Sequence, residues 1–278
     1  MPDDRRPRPD RPHHGGGCPV TAADAAVEAV ATTDELLIAL DFDGTLSPLV
    51  DEPMTARMTP EARVALDGLA ALPRTTVALV SGRTLADLRV IAEHDDSSPW
   101  WLMGSHGAES WQPGAGAGDG ADDADALALR DRLIGEATDA VAALAGVRIE
   151  PKQFGLGLHT RTADAATATT AREKVDALVS AEAPEWRRRT GHDILEYSFR
   201  HEGKDSAVAH LRERLGASAV LFAGDDVTDE DALRSLGAGD LGVRVGGGET
   251  AATLRVDDIP AFVAVLEQIV RLRRAHTG

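Results

Sequence analysis

Leu36-Leu37-Ile38-Ala39-Leu40-Asp41-Phe42-Asp43-Gly44-Thr45 is the stretch on which the fold turns. Five apolar residues in succession lack the alternation of a half-exposed strand and are too few for a helix. They predict a strand covered on both faces, as in a parallel sheet. The run stops at two carboxylates placed two residues apart. Side chains at i and i+2 of an extended chain face the same way, so Asp41 and Asp43 stand together at a buried strand's carboxyl end. Two like charges there are costly, and a divalent cation that prefers oxygen ligands, such as Mg2+, compensates them. Gly44 lets the chain turn sharply, and the Thr45 hydroxyl is placed to bond a phosphate or the turn itself.

Working outward, the same rhythm recurs. A helix is predicted over 21–30 and another over 60–71. The apolar strand Thr75–Val80 runs into Ser81-Gly82-Arg83, a helix follows over 84–93, and the short strand Trp101–Met103 ends in Gly104-Ser105-His106-Gly107. Strands that each end in polar, glycine-containing turns are the mark of an open α/β sheet with its functional edge at the carboxyl ends. The fold class is therefore α/β, a doubly wound parallel sheet. Near the other end, a helix starts at Lys204. Ala219–Ala223 then reads as a strand running into Gly224-Asp225-Asp226-Val227-Thr228-Asp229-Glu230, Leu241–Val245 as another strand, and 260–274 as an amphipathic closing helix. Carboxylates from two strand ends distant in sequence, Asp41 with Asp43 and Asp225 with Asp226 and Asp229, can converge on one cation.

Between these halves the chain changes character. Residues 113–120, PGAGAGDG, read as a flexible hinge or surface insertion rather than a phosphate cradle, because no core strand precedes them and no Lys-Ser/Thr pair follows. Helices over 122–143 and 164–180 alternate with strand pairs near 147–150, 155–160, 186–190 and 194–198. This is the rhythm of a small α+β unit inserted over the core. The expected organisation is an N-terminal tail over 1–20, a core over 21–111, the inserted unit over 112–200 and the rest of the core over 201–278.

Charge and composition exclude several function classes. Lys and Arg number 29 and Asp and Glu 46, a net charge of −17 that disfavours nucleic acid and anionic membranes as partners. No apolar run approaches the roughly 18 residues of a membrane span, and the first 19 residues contain no apolar signal core. The one cysteine, Cys18, permits neither an internal disulfide nor a cysteine-rich zinc site. The expectation is a cytoplasmic protein acting on a small molecule. His13-His14 in the tail reads as incidental, and Trp100, Trp101 and Trp111 read as packing residues.

Taken together, DFDGTL, SGR, the helix-start lysine and GDDVTDE resemble the haloacid-dehalogenase-like (HAD) hydrolase superfamily, and within it the trehalose-6-phosphate phosphatase family. The resemblance runs from about Leu36 to the C-terminus. It implies a HAD core with an inserted cap of the C2 type, and a magnesium-dependent phosphatase. In that scheme Asp41 is the nucleophile and Asp43 the general acid/base. Thr45, Ser81, Gly82 and Lys204 hold the phosphoryl group, and Asp41, Asp43 through its backbone carbonyl, Asp225, and Asp226 through the metal's water ligands hold the metal. Arg83, Thr228 and Asp229 support them. Gly104-Ser105-His106-Gly107-Ala108-Glu109 is similar to the Gly-x-His-Gly-x-Glu turn of that family. Glu150-Pro151-Lys152 with His159-Thr160-Arg161 is similar to its Glu-x-Lys … His-x-Arg pattern. Those matches, with Glu196, imply that His106, Gly107, Glu109, Glu150, Lys152, His159, Arg161 and Glu196 meet a phosphosugar. Taken singly, Glu150 and Lys152 read better as a solvent-exposed strand pair, and Arg83 reads as well as a brace for its loop. The core motifs do not separate trehalose 6-phosphate from glucosylglycerol phosphate or sucrose phosphate. A phosphomutase and a non-catalytic sugar-phosphate-binding regulator also stay open, although the presence of both Asp41 and Asp43 speaks against the latter.

Overall fold

A computed structural model describes residues 22–118, 124–191 and 193–277. The expected tail, with His13, His14 and Cys18, lies outside the described residues. The decisive apolar run forms β1 (Leu36–Leu40), every residue of which is buried. Around it the chain builds α1 (Ala22–Ala31), α2 (Pro60–Ala70), β2 (Thr75–Val80), α3 (Leu85–Ile91), β3 (Trp101–Gly104), β4 (Glu109–Gln112) and β5 (Gly116–Ala117). After the insertion come α6 (Lys204–Leu215), β10 (Ala219–Gly224), α7 (Glu230–Ser235), β11 (Leu241–Val245), β12 (Leu254–Val256) and α8 (Ile259–Thr277). The order across the sheet is β12-β11-β10-β1-β2-β3-β4-β5, parallel from β12 to β3. Leu36, Ile38, Leu40 and Val77 pack against α1, α2 and α8 on one face. Leu37, Ala39, Val80 and Phe222 pack against α6 and α7 on the other. Helices on both faces are why these strands are apolar throughout rather than alternating.

The insertion supplies a second sheet. Its elements are α4 (Ala124–Val141), β6 (Arg148–Lys152), β7 (Gly155–His159), α5 (Ala165–Glu182), β8 (Arg187–Gly191) and β9 (Ile194–Ser198). The strands are antiparallel in the order β6-β7-β9-β8. Leu156, Leu158, Leu195 and Tyr197 face α4 and α5, so the residues between them face the other way. Glu150, Gly157, Glu196 and Arg189 stand in one row across the four strands. Tyr197 donates to Asp176 of α5, and Arg188 grips the same carboxylate at 2.7 and 3.1 Å, pinning that helix to the sheet.

Three expectations need correction. The stretch read as a flexible insertion from 113 onward is partly the β4–β5 hairpin, so the core sheet continues to Ala117 rather than ending at 111. Trp111 of β4 is buried in the main core and anchors it there. Pro151 lies inside β6 rather than ending it. As β6 is an edge strand, the missing N–H breaks no ladder. Finally, β12 is a short edge strand that the apolar pattern does not announce.

Candidate active site

Asp41 follows β1 directly, its N–H bonded to Ala223 O at 2.9 Å. Its carboxylate is buried, and Oδ1 accepts from Lys204 Nζ at 2.6 Å. The same ammonium donates to Asp229 Oδ1 at 2.6 Å. Lys204 is there because α6 begins at it, with Gly203 N–H closing the turn onto Ser206 Oγ at 2.8 Å. Asp229 Oδ2 in turn accepts from the N–H groups of Asp225 and Asp226, at 3.1 and 2.9 Å, and so shapes the loop after β10. Thr228 lies in the single turn Val227–Asp229 of that loop.

Asp41, Asp225 and Asp229 offer carboxylate oxygens within 4.8 Å of one another. Burial pushes Asp41 well above the ordinary carboxylate range, with Lys204 opposing and Asp229 and Asp225 adding to the rise. Burial and then Asp229 raise Asp225 to about 6. Burial alone would lower Lys204, but attraction and hydrogen bonds from Asp229 and Asp41 outweigh it and hold its pKa above the ordinary value. Three buried or half-buried acids with one ammonium are short of positive charge. Their hard oxygen donors suit a cation such as Mg2+. Gly44, at φ +81°, presses its backbone on this group: an added Cβ would sit 2.0 Å from Asp225 Oδ2. The donor set therefore fits a divalent ion.

The side chains of Asp43 and Asp226 lie outside this carboxylate group, in keeping with contacts to a cation through a backbone carbonyl and through water. The Asp43 carboxylate is held by Arg83 in a two-pronged pair, Nε–Oδ2 2.9 Å and Nη2–Oδ1 2.7 Å, because the loop after β2 lies beside the loop after β1. Asp226 is not part of the carboxylate group; its Oδ2 faces the end of β8, 3.8 Å from where a Cβ on Gly191 would lie. Asp229, which the resemblance placed in support, takes the third place.

The phosphate-binding candidates gather at the same sheet edge. The Thr45 hydroxyl is buried and has no hydrogen-bond partner among the described residues, an orphan that a phosphoryl oxygen would satisfy. Ser81 is buried, its Oγ accepting from Arg83 N–H at 3.1 Å. Gly82 is needed because the His106 ring lies over it: a Cβ there would meet the ring at 2.8 Å. Ser105, His106 and Gly107 all have positive φ, 47°, 59° and 109°. Glu109 Oε2 accepts from Ser105 Oγ at 2.5 Å and from Leu85 N–H at 3.0 Å. Gly107 packs on Ala207 of α6. Gly107 and Glu109 thus brace the turn that presents His106.

From the cap, a ladder of opposite charges runs over Gly157. His159 bonds Glu150; Glu150 lies 3.2 Å from Lys152 Nζ; Lys152 lies 3.3 Å from Glu196; and Glu196 lies 3.6 Å from His106 of the core. The His159 bond, against burial, holds Glu150 at about 2. Burial would raise Glu196, but His106 and Lys152 hold it too at about 2. Both carboxylates are therefore ionised acceptors at any working pH. Burial lowers His106 against the pull of Glu196. Arg161 stands apart from this ladder, well exposed and 3.9 Å from Asp51. Between cap and core lies an open cleft, lined by Gly82, Ser105 and His106 below and Lys152, Glu196 and Arg189 above. Sequence reasoning missed Arg189. Its signal was the alternation in Arg187-Arg188-Arg189, which puts the first and third on the open face. The tryptophans take no part: Trp100 and Trp111 are core, and Trp186 is buried in the cap.

The sequence profile of the Trehalose-phosphatase family matches residues 39–252. The trehalose-phosphate phosphatase of Mycolicibacterium paratuberculosis is 36% identical over 211 residues, 72% of this chain and 51% of its own. That of Mycobacterium ulcerans is 32% identical over 256 residues, 86% of this chain and 63% of its own. The chain thus spans between about half and two thirds of the length of these curated relatives. Among solved structures, the C-terminal domain of C. albicans trehalose-6-phosphate phosphatase superposes with a TM-score of 0.74 at 21% identity, covering 91% of this chain and 99% of that one. That likeness shows the fold, a parallel-sheet core with an inserted cap. The chain belongs to the trehalose-phosphatase family.

Proposed function

We propose that the protein is a magnesium-dependent phosphatase that hydrolyses trehalose 6-phosphate to trehalose and inorganic phosphate through an aspartyl-phosphate on Asp41. The observation that carries this reading is the buried Asp41, fixed between Lys204 and the Asp225–Asp229 pair, in a chain whose cap sheet carries Glu150, Lys152 and Glu196 on its open face. Asp41 Oδ attacks phosphorus and the bond to the sugar oxygen breaks. Asp43 gives its proton to that oxygen, then takes one from the water that attacks phosphorus and frees Asp41. This requires Asp43 to leave the Arg83 fork when substrate arrives. Lys204, Ser81 and Thr45 bind the phosphoryl oxygens, so the growing charge meets donors already in place. Mg2+ held by Asp41, Asp225 and Asp229 would supply the positive charge that lets a carboxylate approach a dianion. Glu150, Lys152, His159 and Glu196 orient the sugar. A cap that meets the core through His106 and Glu196 keeps bulk water from the intermediate.

Phosphate release should be followed for trehalose 6-phosphate, glucose 6-phosphate, sucrose 6-phosphate and glucosylglycerol phosphate, with magnesium and with EDTA. Magnesium-dependent preference for trehalose 6-phosphate is expected. Preference for another sugar would refute the cap assignment while leaving Asp41 in its role, and full activity in EDTA would refute the metal.

A further inference from the structure

Three consecutive arginines occupy the edge strand β8, and two of them are fully committed. Arg188 is spent on Asp176. Arg187 donates to His201 O at 2.5 Å and pairs with Asp231 of the core at 3.3 Å. Arg189 differs. It is half-buried, lines the cavity, and makes no ion pair among the described residues; its one bond is from Nη2 to the carbonyl of Glu202. It stands directly across from Glu196 in the β8–β9 register.

The other ionisable donors of the cavity wall are already engaged. Lys152 is shared between Glu150 and Glu196, and His106 faces Glu196. The ionised carboxylates of the wall accept hydrogen bonds from sugar hydroxyls, and Arg189 is its one cation without a carboxylate partner among the described residues. A sugar also presents ring and glycosidic oxygens that only accept. A guanidinium carries five N–H donors in a fixed plane, and Glu202 O takes only one side of it. We propose that Arg189 is a specificity-determining residue whose free N–H groups donate to acceptor oxygens of the sugar in the cap-side cavity. Its hold on Glu202 O ties that contact to the segment leading from the cap into Lys204. The inference rests on the phosphosugar reading above.

The test compares kcat/KM for trehalose 6-phosphate with that for p-nitrophenyl phosphate, which fills only the phosphoryl end of the site. R189M should lower the ratio of the two by about tenfold or more, chiefly through KM for the sugar, as expected for loss of a charge-assisted hydrogen bond. R189K, which keeps charge but not the fork, should fall between. A ratio within about twofold of the wild type in R189M, or an equal loss on both substrates, would overturn the proposal and leave Arg189 as a hinge brace. The wild type reports separately: if it favours the aryl phosphate over every phosphosugar, the functional reading itself fails.

Discussion

Replacing Lys204 by methionine removes the one ammonium of the buried acid cluster and keeps its length. In the folded protein Nζ lies 2.6 Å from both Asp41 and Asp229, with all three side chains nearly inaccessible. At an effective dielectric of about 20, each contact has a gross attraction of roughly 6 kcal/mol. Desolvating three charges consumes most of that. What the variant loses is set by the acids left behind: two buried carboxylates, with Asp225 nearby, lose their cation. Breaking a buried pair in this way costs about 3–5 kcal/mol. A divalent ion on the same carboxylates restores part of the missing charge, so the loss must depend on metal. Urea unfolding at pH 8 should show K204M less stable than the wild type by about 3–5 kcal/mol in EDTA. Saturating magnesium should narrow that gap, as binding to the folded state alone requires. Equal stability of the two proteins in EDTA, or a gap indifferent to magnesium, would refute the electrostatic account of the site.

The remaining predictions are shorter. Asp225 is raised to about 6 in the fold against 3.8 in the unfolded chain. The stability from its proton is thus present below pH 3.8 and lost as pH rises through about 6, on the order of 3 kcal/mol in the metal-free protein. A cation must displace that proton, so calorimetric magnesium affinity should rise with pH through the same window; a flat profile would contradict the burial of Asp225. G44A puts a Cβ 2.0 Å from Asp225 Oδ2 at φ +81°. Backbone strain of about 1–2 kcal/mol and displacement of the carboxylate should weaken magnesium binding, and an unchanged affinity would show that the loop yields freely. R273L acts far from the site. Arg273 is fully buried and donates to Thr75 Oγ1 and to the carbonyls of Ala31, Thr33, Asp34 and Arg74. Stranding those acceptors should cost about 3 kcal/mol or more in urea unfolding while KM stays the same; a neutral variant would mean the strand starts are held by other contacts.

The core was legible because burial on both faces writes itself as continuous apolar strands, and because a strand end must give way to polar residues. LLIAL into DFDGT and AVLFAG into DDVTDE announce both neighbouring strands and the acids between them. What escaped was set by contacts across the chain. The β4–β5 hairpin is glycine-rich and short, and it is anchored by the burial of Trp111 and by pairing with β3. The Asp43–Arg83 pair joins residues 40 positions apart, a contact made by one parallel crossover that no local spacing encodes. Asp229 displaces Asp226 from the acid group because the turn Val227–Asp229 folds its carboxylate back under the loop. In the cap, alternation places Glu150, Lys152 and Arg189 on one face, yet their partners follow from a strand register that sequence alone leaves free.

The central claim is that Asp41 is the attacking group, and the most direct measurement is phosphate release by D41N beside the wild type, both saturated with magnesium and checked for folding by circular dichroism. The account predicts that turnover of trehalose 6-phosphate is abolished in a folded protein. Turnover at the wild-type rate would contradict it.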